Sequence, residues 1–301
     1  MYNQITSNKR KTWILVFLFM AVISSIGWFL SYYFEGGIGI FLFALVFALV
    51  TSSVGYFKGD AIALATHKAK PILQKDNPYV YRMVENLAIT SGLPMPKVYI
   101  IEDPALNAFA TGRDPEHASI AFTTGIIEKL ENEELEGVAA HELSHIQNYD
   151  IRVMTLVIVL VGIITLIGDF FLRMQFYGGM KGKRRSGGDG RLQLIILVIG
   201  VLFIILSPII AELIKLAVSR KREFLADASG SLLTRYPEGL ANALKKISAS
   251  PIEMKKANHA TAHLFISAPF KQKKLMNRLF STHPPVEERI SALNKMGNAR
   301  A

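Results

Sequence analysis

The run His141-Glu142-Leu143-Ser144-His145 sets two imidazoles four residues apart with a glutamate between them. On a helix, positions i and i+4 stand one above the other on a single face, so both rings can reach one cation. The intervening carboxylate then points toward the open side of that cation. This arrangement suits hydrolysis: two His hold Zn²⁺, and Glu142 handles the proton of the attacking water. The competing reading is an amphipathic helix that carries two His by coincidence.

The surrounding residues predict the helix that this chemistry needs. Asn132 is a candidate N-cap, and Glu133, Glu134 and Glu136 put negative charge in the first turn, where the helix dipole favours it. Leu135, Val138, Ala139, Leu143 and Ile146 recur at helical spacing, which predicts one helix over 133–148. Two polar imidazoles among apolar neighbours are costly without a partner, and a metal is the natural one.

A hydrolytic zinc site keeps three protein ligands and one open position. The chain has no Cys, so thiolate ligands are excluded. After His145 the sequence Ile146-Gln147-Asn148-Tyr149-Asp150-Ile151 lacks the Gly and third His of the metzincin extension. A Glu on a later helix is the alternative. Glu223 and Asp227, in Ser219-Arg220-Lys221-Arg222-Glu223-Phe224-Leu225-Ala226-Asp227, lie four apart and face the same way on a helix. Glu223 can bind the metal while Asp227 accepts the spare N–H of a zinc-bound His. Read alone, the pair also fits a surface carboxylate cluster neutralised by Arg220 and Arg222. Chain position favours the metal. His145 precedes the start of one apolar segment by about 12 Å of helix, and Glu223 follows the end of the next by about 20 Å. A hairpin of those two segments returns both stretches to one membrane face.

The apolar segments account for the composition. Half the residues are hydrophobic and mean hydropathy is +0.29, high for a water-soluble domain. Residues 13–34 and 38–57 are apolar runs of spanning length, separated by Glu35-Gly36-Gly37. Trp13, Trp28, Tyr32, Tyr33, Tyr56 and Phe57 lie toward their ends, as an interfacial aromatic belt requires. A signal peptide fits poorly, because no cleavage site follows and a second span comes at once. Residues 154–172 and 192–210 predict a second hairpin, although Asp169 and Pro208 interrupt them. The competing reading is a hairpin packed on the soluble part or dipping into the bilayer without crossing it.

Lys9-Arg10-Lys11 before the first span and Lys58, Lys68 and Lys70 after the second place both flanks in the cytoplasm. Arg173, Lys181, Lys183, Arg184, Arg185 and Arg191 load the turn of the second hairpin with positive charge, which opposes a four-span topology. The net charge of +10 and pI near 9.6 fit attraction to anionic lipid. No nucleic-acid motif or aromatic-basic stripe accompanies them, so nucleic-acid binding is not expected.

Between the hairpins the pattern is α+β. Asn77-Pro78 opens a helix through about Thr90, closed by Gly92 and Pro94. Short strands are predicted at 97–101, 108–111 and 119–123, and amphipathic helices at 238–248 and 286–295. The expected organisation is an N-terminal transmembrane hairpin (1–58), the first part of a protease domain (59–150), a second hairpin (151–212), and the remainder of that domain (213–301). His259 and His263 also lie four apart, but Ala260 stands where a glutamate would be needed. His67 and His117 carry no signal.

The order of hairpin, H-E-L-S-H, second hairpin and S-R-K-R-E-F-L-A-D resembles the HtpX-type membrane zinc metalloproteases, relatives of the CAAX prenyl proteases. Asn107-Ala108-Phe109-Ala110-Thr111-Gly112 and Ser281-Thr282-His283-Pro284-Pro285-Val286-Glu287-Glu288-Arg289 resemble that family too. The resemblance implies a membrane helical protein with an α+β zincin-like domain of the gluzincin type. It implies His141, His145 and Glu223 as zinc ligands, Glu142 as catalytic base and Asp227 behind the metal. It also implies cleavage of damaged or misfolded membrane proteins under stress, at the cytoplasmic face of the plasma membrane. His283 and Arg289 are candidate oxyanion donors. Asn107 and Phe109 are candidate substrate contacts on an edge strand that would pair with an extended chain. Expected partners are unfolded or membrane polypeptides and the bilayer; no feature specifies an oligomeric state. Two alternatives remain. A prenyl-peptide protease would need a lipid chamber, for which four spans leave less room, and a non-catalytic metal-binding scaffold would not need Glu142.

Overall fold

The computed structural model describes residues 2–33, 37–179, 220–255, 261, 264–266 and 284–298. The segment 192–210, most of the basic turn, and His259, His263 and His283 lie outside the described residues.

Helices α1 (Tyr2–Tyr33) and α2 (Gly37–Thr66) are long and apolar enough to cross a membrane. Their apolar side chains point outward: Phe17 is 76% exposed and Phe43 72%. A surface of this kind is what a bilayer covers. Helix α6 (Asp150–Gly179) is equally apolar but differently placed. Its Val153, Leu156, Val157, Leu160 and Ile164 are buried, in one cluster with Leu15, Phe19 and Ile23 of α1 and Ala48 of α2. The first arm of the expected second hairpin therefore faces protein over most of residues 151–164, while Leu166 beyond them is 68% exposed.

The sheet has the order β1-β2-β4-β3, from β1 (Lys70–Pro71), β2 (Lys97–Ile101), β3 (Ala108–Gly112) and β4 (Ala118–Thr123). β2 and β4 run parallel, and the outer pairs are antiparallel. The three predicted strands are present. β1 has only two residues, too short for any periodicity to show. Helix α3 (Pro78–Ser91) starts where Asn77 accepts the Val80 N–H, and it ends at Gly92, whose φ of 68° is left-handed. Short α4 (Thr124–Lys129) leads to α5 (Asn132–Gln147), which carries the two His.

The N-cap of α5 is Glu131, not Asn132. The Glu134 side chain accepts the Glu131 N–H at 2.9 Å, and Glu131 returns the bond in a capping box. Lys246 lies across both carboxylates. Leu135, Val138, Ala139, Leu143 and Ile146 pack into a core with Ile120 and Phe122 of the sheet. Val80, Val84 and Leu87 of α3, Leu240 and Leu244 of α8 (Pro237–Ala249) and Leu293 of α9 (Val286–Asn298) join the same core.

Helix α5 does not continue into α6. It ends at Asn148, Tyr149 takes a left-handed φ of 60°, and α6 leaves at 83° to α5. The straight helical run expected from His145 toward residue 153 is thus broken, and the break has a consequence for the site.

Candidate metal centre

His141, Glu142 and His145 occupy the middle of α5 and are buried. Glu223 comes from α7 (Arg220–Thr234), which crosses close against α5. Gly230 permits that approach, since a Cβ there would lie 2.9 Å from the His141 nitrogen and 3.1 Å from the Ala140 carbonyl carbon. The Nε2 atoms of His141 and His145 are 3.2 Å apart. Glu223 Oε2 is 3.9 Å from the first and Oε1 3.6 Å from the second. His141, His145 and Glu223 form a group able to hold a metal ion.

Each imidazole is fixed from behind by a carboxylate. His141 Nδ1 lies 3.0 Å from Asp227 Oδ1, and His145 Nδ1 lies 3.0 Å from Asp150 Oδ2. A ring nitrogen that donates its proton to a carboxylate leaves the other nitrogen as a lone pair. Two lone pairs and the Glu223 carboxylate thus converge on one point. Each carboxylate is in turn held by a guanidinium. Arg289 donates from Nε and Nη2 to Asp227 at 2.8 and 2.6 Å, and Arg222 donates to Asp150 Oδ1 at 2.9 Å.

The donor set fits Zn²⁺. Ligand atoms about 2.1 Å from a tetrahedral zinc lie about 3.4 Å from one another, close to the spacings in this cluster. Charge points the same way. Among the described residues at the centre, Glu142, Asp150, Glu223 and Asp227 are buried against the guanidiniums of Arg222 and Arg289. In the ligand state a metal requires, with both imidazoles neutral and all four carboxylates ionised, the carboxylates exceed the guanidiniums by two charges, which a divalent cation would offset.

The same surroundings set the protonation of the metal-free centre. Burial lowers the pKa of His141, opposed by its hydrogen bond to Asp227. Burial also disfavours charge on His145, but the bond to Asp150 and the nearby carboxylates outweigh it and raise the pKa to about 9. Burial pushes Glu142 up to about 7; charge on His145 opposes this, Glu223 adds to it, and the Ala110 N–H bonded to the carboxylate opposes it. The Asp227 carboxyl is penalised by burial but is held low overall by Arg289.

Other expected contacts fall elsewhere. Arg289 is 1% exposed, and its donors are engaged by Asp227 and by the Ile266 carbonyl. It braces Asp227, and its Nη1 also lies 3.6 Å from Glu223 Oε2. Phe109 is fully buried, edge-on to His67 and Phe265, and Asn107 is buried with its side chain near Met254. Neither side chain is open to a substrate. β3 is an edge strand as expected; the outward N–H of its central residue, Ala110, faces the Glu142 carboxylate, while the groups on either side are bonded within the protein. Ala108 O accepts from Ile266 N, and Gly112 N donates to Thr155. Asp150 and Arg222 carried no sequence signal as braces. In a continuous helix a residue five beyond His145 faces away from it, and only the break at Tyr149 turns Asp150 back. Asn148, a residue type that favours helix ends, is the sole local sign of that break.

A family model described as Peptidase family M48 matches residues 74–297. A "Protease HtpX homolog" of Tropheryma whipplei (strain Twist) is 46% identical over 298 residues, covering 99% of both chains. Another so named, from Caldanaerobacter subterraneus subsp. tengcongensis, is 42% identical over 296 residues and 98% of both. The crystal structure of S. mikatae Ste24p superposes with a TM-score of 0.52 at 21% identity, covering 94% of this chain and 67% of that one, a likeness of fold. A family match across the helices that carry His141, His145 and Glu223, over a fold whose α1 and α2 are long and apolar enough to span a membrane, makes this chain a membrane metalloprotease that belongs to Peptidase family M48.

Proposed function

We propose that this protein is a zinc-dependent endopeptidase of the cell membrane, cleaving damaged or misfolded membrane proteins at the cytoplasmic face. The observation that carries the reading is the convergence of two imidazole Nε2 atoms and the Glu223 carboxylate beside the buried carboxyl of Glu142. His141, His145 and Glu223 would hold the zinc, which when bound supplies Lewis-acid polarisation of the scissile carbonyl and makes water acidic near neutral pH.

Glu142 does the proton work. Its buried carboxylate, between the two ligand His on the same helix, would accept a proton from the attacking water and release it to the leaving amine nitrogen. Asp227 and Asp150 hold the two rings with their Nδ1 protons outward from the metal. The basic flanks Lys9-Arg10-Lys11 and Lys58 support a cytoplasmic active side.

Glu142→Gln preserves size but cannot accept the proton. Cleavage of an unfolded membrane-protein substrate should fall at least about 100-fold, with zinc content unchanged. Retained activity, or lost zinc, would show that Glu142 is not the proton carrier.

A further inference from the structure

Asn8 sits on α1, the first membrane helix, and its side chain is fully buried. Its Nδ2 donates to Asp150 Oδ1 at 2.7 Å and to the Asn148 carbonyl at 2.8 Å. Its Oδ1 accepts from Arg222 Nη1 at 3.3 Å. Asp150 therefore has one oxygen anchored by Asn8 and Arg222 and the other on His145 Nδ1. A carboxylate gripped at one oxygen cannot rotate freely, so it presents the second in a set direction. The three groups joined through Asn8 are the end of α5, the start of α6, and the residue next to Glu223 on α7.

We propose that Asn8 is a positioning residue of the metal centre: it orients Asp150 against His145, which makes the first membrane helix part of the site and not only its anchor. The inference rests on the reading of His141, His145 and Glu223 as zinc ligands. A helix that only anchored the domain would have no use for a buried amide at this position, where an apolar side chain would pack at lower cost. The fully buried amide instead spends its donors on the C-terminal carbonyl of α5 and on the carboxylate behind a ligand. Thr12, one turn along the same buried face, bonds to the main-chain carbonyl of Asn8 and not to the Asn8 amide that holds Asp150.

Asn8 and Thr12 can therefore be separated by experiment. The full-length protein, stripped of metal in detergent, is titrated with Zn²⁺ against a chromophoric chelator, and its Co²⁺ form is read by visible absorption. Asn8→Ala should weaken zinc binding by about 10-fold, the lower end of losses seen when partners of metal ligands are removed. It should also alter the Co²⁺ bands, which report ligand geometry. Thr12→Val, a comparable buried change, should leave both at wild-type values. Should Asn8→Ala fail to accumulate, Asn8→Asp keeps the size and the acceptor toward Arg222, loses the donor, and is read in the same way. Wild-type zinc affinity and Co²⁺ bands in the Asn8 variant, or an equal loss in Thr12→Val, would overturn the inference. Wild-type protein that binds no zinc would instead overturn the assignment of the ligands beneath it.

Discussion

At the scale of single residues, the centre consists of ligands whose orientation depends on what lies behind them. His141 leans on Asp227 and Arg289, and His145 on Asp150 and Arg222. These two relays keep both rings in the tautomer that offers Nε2 inward. Removing the third donor should act differently from removing a brace. Glu223→Ala should lower zinc occupancy sharply, because two imidazoles alone leave the metal under-coordinated. Asp227→Ala should cost about 10- to 100-fold in affinity, since the ring remains but loses its tautomer lock. Metal analysis after equilibrium dialysis reads both, and equal occupancy in wild type and the two variants would place the third ligand elsewhere.

At the scale of elements, the site depends on how closely α7 approaches α5. Gly230 faces the backbone of Ala140 and His141, where a methyl group has no room. Gly230→Ala should force the helices apart, costing about 1–3 kcal/mol as overpacking does, and should weaken zinc binding because Glu223 moves away from the rings. Thermal unfolding with and without zinc tests this; wild-type stability and affinity would mean the crossing has slack. The corner between α5 and α6 matters as much. The left-handed Tyr149 redirects the chain so that Asp150 faces His145 and α6 packs under α1 and α2.

At the scale of the molecule, the metal centre and the membrane helices form one structure. The buried carboxylates and guanidiniums link α1, α5, α6, α7 and α9 around the site. Removing the cation removes the ion that would join α5 to α7, so chelation should abolish activity and lower the melting temperature. Zinc at a hundredfold over its Kd contributes about 2.7 kcal/mol to the folded state, and its return should restore both properties. Unchanged melting on chelation would mean that no metal is bound. Topology is a separate matter. If residues 154–172 and 192–210 both cross, reporters fused at Gly188 and Ser248 should fall on opposite sides, with Gly188 outside. The six Lys and Arg of the intervening turn oppose that placement. A cytoplasmic signal at both positions would mean the second hairpin does not cross.

Local pattern carried much of this protein. The four-residue spacing of His141 and His145, the apolar stripe of α5, the caps of α3 and the length of the first two apolar segments each follow from neighbours along the chain. Helical and strand periodicity express such relations directly. The braces do not. Asp150 reaches His145 only because of a corner that no Gly or Pro announces, and Asn8 reaches Asp150 across 142 residues of sequence. Arg289 carries the charge of an oxyanion donor, yet it lies buried on Asp227. Hydrophobicity is similarly mute about its partner: α1 and α6 are both apolar, but α1 turns Phe17 outward while α6 spends Val153, Leu156, Val157 and Leu160 on protein. Water rejects both surfaces equally, so composition records that they must be covered, and only packing in three dimensions selects whether lipid or protein covers them.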